Sequence, residues 1–98
     1  MLNLVEWNDF FDKSESDNEK PYIAQVNQLE DMVGWALFFD GKTKSALSDD
    51  GKLVVWKSLD SLINSVYEKH GLYFDIHVYY YGDKMVNLPE QVNFILIA

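Results

Sequence analysis

The run LYFDIHVYYY, residues 72–81, constrains the fold more than any other part of the chain, because its side chains alternate with a period of two. Successive side chains of a β-strand point to opposite faces, so this pattern predicts a strand. One face is apolar and suits a core: Leu72, Phe74, Ile76, Val78 and Tyr80. The other face carries rings and a carboxylate and is a candidate binding surface: Tyr73, Asp75, His77, Tyr79 and Tyr81.

An amphipathic segment just before this strand predicts a helix that packs on the apolar face. Ser58 is a suitable N-cap, Asp60 lies near the positive end and Gly71 follows the last turn, so we place the main helix at 58–70. Five apolar side chains recur at helical spacing and are expected to face the sheet: Leu59, Leu62, Ile63, Val66 and Tyr67.

The N-terminal residues 2–11, LNLVEWNDFF, predict a short helix with Asn3 as its N-cap. Its apolar residues fall on one helical stripe: Leu4, Trp7, Phe10 and Phe11. A strand is the alternative, but apolar and polar side chains alternate poorly here. The polar run DKSESDNEKP, residues 12–21, predicts a loop.

The remaining elements are strands joined by turns. Asp40-Gly41 and Asp50-Gly51 are strong turn signals, with a polar passage between them. Strands are expected at YIAQVNQ (22–28), GWALFFD (34–40), KLVVW (52–56), the run 72–81 and VNFILIA (92–98). We therefore predict one globular α+β domain over 1–98. It is a two-layer sandwich with a mixed or mainly antiparallel sheet of about five strands, the main helix and a short N-terminal helix.

The chain lacks the residues that several kinds of functional site require. The chain has no cysteine, which excludes a thiolate nucleophile and a cysteine-based zinc site. All eight basic residues are lysines, and the absence of arginine argues against direct binding of nucleic acid. Asp75 and His77 share a predicted strand face and form half of an acid–base pair, but no nucleophile elbow accompanies them.

Metal and cofactor sites are not expected either. His70, Asp75 and His77 have no recognised ligand spacing, and no glycine-rich phosphate loop is present. We expect no catalytic residue, no metal and no cofactor, and a protein that is not an enzyme. A hydrolase or small-ligand binder that uses Asp75 and His77 is retained as a further alternative.

The charge of the chain is unevenly distributed. The formal net charge is −8, and residues 1–50 hold 11 acids and 4 lysines. An acidic half can attract a basic partner over long range, whereas solubility alone is the simpler explanation. The carboxylates expected to contact such a partner are Glu15, Asp17, Glu19, Glu30 and Asp31.

These features together predict a small inhibitor that binds a basic, nucleic-acid-handling protein. Carboxylates would steer the encounter, and Tyr73, Tyr79 and Tyr81, with Asp75 and His77 beside them, would anchor the complex. In overall composition the chain is similar to bacterial immunity proteins against nuclease-type toxins and to phage anti-CRISPR proteins, although no motif carries that likeness.

The alternative function is a non-catalytic accessory domain that forms a homodimer through the same aromatic face. The N-terminal helix could also cover that face, which would make it part of the core. The chain shows no basic leader and no apolar run of about 18 residues, so a cytoplasmic protein that does not enter the membrane is expected.

Overall fold

A computed structural model describes residues 2–70, 77–78 and 84–98 of the chain. Two helices and eight strands lie within these residues, in the order β1 (Leu2–Glu6), α1 (Trp7–Ser16), β2 (Tyr22–Gln28), β3 (Asp31–Asp40), β4 (Lys44–Asp49), β5 (Lys52–Trp56), α2 (Leu59–His70), β6 (His77–Val78), β7 (Met85–Leu88) and β8 (Phe94–Ile97). The α+β class with a mixed sheet and two helices is confirmed. The predicted two-layer sandwich and its count of about five strands are not confirmed.

The described strands form one mixed sheet in the order β1-β4-β5-β3-β2-β6, with β7 also on β2 and β8 on β5. Consecutive strands from β2 to β5 pair antiparallel, as short turns between them require. The outer strands pair parallel: β1 with β4, β8 with β5, and both β6 and β7 with β2. Each parallel pair joins segments that are distant in sequence.

The prediction for residues 2–11 is wrong in its first half. Residues 2–6 form β1, which pairs with β4 from Leu2↔Lys44 to Glu6↔Ser48. The helix begins only at Trp7, with Glu6 rather than Asn3 at the N-cap position. The pattern alone could not show this, because the stabilising partner of β1 lies about 42 residues along the chain. Residues 44–49, predicted as a polar passage, are that partner.

Helix α1 also extends into the segment predicted as a loop. Phe10 and Ser14 lie four residues apart and are both buried, so the helix continues through Ser16. Asp17 is the C-cap, and Asn18 follows with φ 57°. A residue in the left-handed region commonly ends a helix, and here the amide of Glu19 donates to Ser14 O at 2.9 Å.

Both faces of the central strands are buried, which gives two core clusters. The first receives both helices: Val5, Phe10, Ile23, Leu37, Phe39, Leu47, Val54, Trp56, Leu62 and Val66. The second lies on the opposite face: Tyr22, Ala24, Val26, Ala36, Phe38, Ala46, Leu53, Val55 and Leu88. In β3 the two sets alternate, with Leu37 and Phe39 in the first cluster and Ala36 and Phe38 in the second.

Helix α2 has the predicted position, but not all of the predicted face contacts the sheet. The Ser61 amide donates to Ser58 Oγ at 3.1 Å, which confirms the N-cap. Leu62 and Val66 are buried, whereas Ile63 and Tyr67 are 46% and 52% exposed. The buried indole of Trp56 donates to Ser65 Oγ at 3.0 Å. Ser65 therefore faces the sheet beside Leu62 and Val66, and the opposite flank of the stripe faces outward.

The predicted strand 72–81 falls largely outside the described residues. Its described part is β6, where Tyr22 pairs with His77 and Ile23 with Val78. The division of 72–81 into an apolar and an aromatic face therefore stays a prediction.

Candidate protein-interaction site

The exposed side of α1 and the residues just after it carry five carboxylates. We call this surface the α1 acidic face: Asp9, Asp12, Glu15, Asp17 and Glu19, all exposed. Asp9, Asp12 and Glu15 follow each other at intervals of three, so they are neighbours on the helix surface. Residues 8–20 hold these five acids and two lysines, a net charge of −3.

Packing on the opposite side of α1 fixes the direction in which this face points. The Phe10 ring lies 5.2 Å from the Phe39 ring, centroid to centroid, in an edge-on contact beneath the helix. Ser14 is buried one turn later and donates to Phe11 O at 2.9 Å. The helix cannot roll without exposing Phe10, so the carboxylates are held on a rigid element.

Two of the acids lie where they do not stabilise the helix. Glu15 is in the last turn of α1 and Asp17 is its C-cap, at the negative end of the helix dipole. Lys13 offsets part of this charge, and Asp9 in the first turn is favourably placed. The helix dipole and the Glu15 and Asp17 carboxylates therefore add to one negative field at this end of the molecule.

Asp17 and Glu19 also line a polar cleft of about 510 Å³ between α1 and the β3–β4 turn. A β-carbon on Gly41 would lie 3.3 Å from Asp17 Oδ2, so the carboxylate sits against this turn. Lys13 and Lys42 line the same cleft, together with Asn3, Thr43 and Ser45. Of the predicted residues, Asp17 and Glu19 thus meet at this cleft, whereas Glu15 lies in the last turn of α1 and does not line it.

Glu30 and Asp31 belong to a different region. They lie at the β2–β3 turn, where Leu29 and Glu30 have positive φ angles of 53° and 71°. Asp31 pairs with Gln28 at the far end of β2, while Glu19 precedes the start of that strand. At about 3.3 Å per residue, the length of β2 separates the two acidic groups by roughly 20 Å. The five predicted carboxylates are therefore not one site.

The predicted aromatic anchors stay untested. Tyr73, Asp75, Tyr79 and Tyr81 lie outside the described residues, and of His77 only its place in β6 is described.

A polar cluster that the sequence did not predict surrounds Tyr22, whose side chain is 4% exposed. The Tyr22 hydroxyl donates to Asp40 Oδ1 at 2.6 Å, and Lys44 Nζ donates to both, at 2.6 Å and 2.8 Å. Lys84 Nζ lies 3.8 Å from Asp40 Oδ2 and 5.0 Å from the centre of the Tyr22 ring. The spacing of Asp40 and Lys44 across an Asp-Gly turn is the signal that could have indicated this pair.

The two lysines and the Tyr22 hydroxyl stabilise the ionised form of Asp40 in this cluster. Partial burial raises the pKa of Asp40, but hydrogen bonds from Lys44 and Tyr22 and the charges of both lysines outweigh it, so the pKa lies below the ordinary value. Tyr22, Asp40 and Lys44 bond to one another, and Tyr22 belongs to the second core cluster. We therefore interpret these polar groups as structural: they cover the edge of that core.

Glu6 has a comparable structural role at the β4–β5 turn. Its carboxylate accepts hydrogen bonds from Ser48 Oγ and from the amides of Asp50 and Gly51. The bond from Ser48 lowers the pKa of Glu6, the cost of burial opposes it, and the two amides lower it further. The turn residues have φ angles of 53° and 76°, and the carboxylate holds their amides in place.

An aromatic cleft of about 540 Å³ lies between the start of α1 and the last turns of α2. It is lined by Trp7, Trp56, Ser65, Glu68, Lys69 and Ile97. We call it the Trp7 cleft. The Trp7 ring meets the Trp56 ring edge-on at 6.0 Å, and Lys69 Nζ lies 5.1 Å from the centre of the Trp7 ring. A cation over an aromatic face at this distance is a cation–π contact.

The described residues contain no group of three or more acids and histidines placed to hold a metal ion. Within the same residues, no helix has the length and apolar character needed to cross a membrane. Comparison with protein-family models gives no match for this chain, and comparisons with curated proteins and with solved structures give none either.

Proposed function

We propose that this protein is a small inhibitor that binds a basic, nucleic-acid-handling protein through the α1 acidic face. The observation that carries the proposal is the set of five exposed carboxylates on and after a helix that Phe10 and Ser14 fix to the core. Two of them occupy the helix end where a negative charge costs stability, so local helix stability does not account for their presence.

The mechanism follows from the charge and rigidity of this surface. A negative field raises the rate of encounter with a positively charged cleft, and the effect weakens as salt rises. Carboxylates on a packed helix lose less freedom on binding than carboxylates on a loose loop, which favours a longer-lived complex. The bound inhibitor would occupy the cationic surface that its target uses for nucleic acid. A toxin immunity protein or a phage anti-defence protein acting in the cytoplasm would fit this description.

The experiment is affinity capture from a bacterial lysate with three forms of the tagged protein. The wild type is compared with Asp12→Asn/Glu15→Gln and with the control Asp49→Asn/Glu90→Gln, which removes the same charge at exposed positions elsewhere. The proposal predicts a basic protein that the wild type and the control capture at low salt, and that high salt or the α1 variant releases. Equal capture by all three forms would contradict the assignment to α1.

The homodimer alternative concerns an aromatic face that lies outside the described residues, so it stays a prediction. Light scattering on the same purified protein tests it, because self-association would raise the mass with concentration. A mass that stays at the 11.4 kDa of one chain would exclude it.

A further inference from the structure

The Trp7 cleft combines three features that favour a positive charge. The face of the Trp7 indole attracts cations through its ring quadrupole. Glu68 supplies a carboxylate to the same cleft. Ser65, Glu68 and Lys69 lie in the last turns of α2, so the cleft is at the negative end of that helix dipole.

The structure shows a cation already placed in this cleft. Lys69 Nζ lies 5.1 Å from the centre of the Trp7 ring, and Lys69 is itself exposed. Its contact with the ring demonstrates that an ammonium is accommodated there. A long exposed lysine can leave at small cost, because cation–π contacts at exposed sites are weak.

We propose that the Trp7 cleft receives an arginine side chain of the basic partner, which displaces Lys69 from the Trp7 ring. The identity of the partner rests on the proposed function. A guanidinium suits the cleft better than an ammonium, because its plane stacks on the indole while its N–H groups pair with the Glu68 carboxylate. The cleft also adjoins the first turn of α1 through Trp7.

The test uses the full chain and argininamide, without any partner protein. Argininamide is titrated at constant ionic strength, and the indole N–H signals of Trp7, Trp35 and Trp56 are followed by NMR. The Trp7 and Trp56 signals should shift together, while Trp35, which is not part of the cleft, serves as the internal reference.

Two pairs of variants identify the binding groups. Lys69→Met removes the competing ammonium and should tighten argininamide binding about two- to fivefold, whereas Lys52→Met, with the same loss of charge at an exposed site, should change it far less. Glu68→Gln should weaken binding by about threefold or more, and Glu90→Gln should leave it near the wild-type value. Circular dichroism spectra confirm that each variant is folded.

The inference is overturned if argininamide leaves the Trp7 and Trp56 signals unchanged. It is also overturned if Lys69→Met binds argininamide like its control Lys52→Met and Glu68→Gln binds it like its control Glu90→Gln. Either result leaves the capture experiment unaffected, because that experiment substitutes Asp12 and Glu15 and requires no contact at the cleft. Conversely, the argininamide titration does not depend on whether the Asp12→Asn/Glu15→Gln variant loses capture.

Discussion

A β-carbon on Gly34 would overlap the carbonyl oxygen of Trp56 and would lie 2.9 Å from Val55 Cγ1. Strand β3 therefore passes β5 at a distance that only glycine permits. The next residue, Trp35, pairs with Trp56, and Val26 of β2 pairs with Gly34 from the other side. Because Gly34 has no side chain, β5 can pack against β3 at the centre of the sheet. The Trp56 indole of β5 then lies within hydrogen-bond distance of Ser65 in α2.

The first prediction concerns this close approach. Gly34→Ala should lower the free energy of unfolding by about 2–3 kcal/mol, because the clash is with backbone atoms that cannot rotate away. The control is Gly41→Ala, where the nearest atom is the Asp17 carboxylate and the effect should stay below about 1 kcal/mol. Urea denaturation measures both. Similar losses in the two variants would show that strands β3 and β5 are not packed this closely.

The second prediction separates stability from binding on α1. Glu15→Gln should leave the free energy of unfolding unchanged or raise it by about 0.3–0.5 kcal/mol at low salt, because it removes a negative charge from the negative helix end. Asp9→Asn makes the same change at the positive end and should lower the free energy by a similar amount. Thermal unfolding measures both variants, and about 1 M salt should cancel the difference. Changes of the same sign in both would count against the dipole argument.

The third prediction concerns the Tyr22 hydroxyl. Tyr22→Phe should reduce the free energy of unfolding by about 1 kcal/mol, because a buried hydroxyl that bonds Asp40 and Lys44 is lost. Tyr67→Phe is the matched control, since that ring is half exposed, and it should change the free energy by only a few tenths of a kcal/mol. Chemical denaturation compares the two. An unchanged free energy of unfolding in Tyr22→Phe would mean that water fully replaces the bonds of the hydroxyl to Asp40 and Lys44.

The fourth prediction is a pH dependence. The pKa of Asp40 is lowered in the folded protein, so its ionised form stabilises the fold at pH values above the ordinary pKa of 3.8. This contribution is lost as the pH falls below that value through the lowered pKa. Asp40→Asn should therefore lose stability less steeply than the wild type on the acid side. NMR titration gives the pKa directly, and a value at or above 3.8 would contradict the prediction.

Much of the fold was predicted where the signal is local. The position of α2, the Asp50-Gly51 turn and strands β2, β3, β5 and β8 follow from residues that lie close together in sequence. The surroundings of the candidate site were predicted less well. Glu15, Asp17 and Glu19 were expected on a loop, but Glu15 lies in a helix and Asp17 caps it, because the buried pair Phe10 and Ser14 extends α1.

By itself, the sequence determined an acidic α+β domain, because composition, turn chemistry and periodicity act over a few residues. Tertiary structure alone decided the features that depend on distant contacts. Pairing with β4 made residues 2–6 a strand, and packing of Leu62 and Val66 against the first core cluster, with the bond from Trp56 to Ser65, set which flank of α2 meets the sheet. Each of these outcomes depends on long-range pairing or packing, which leaves no local pattern in the chain.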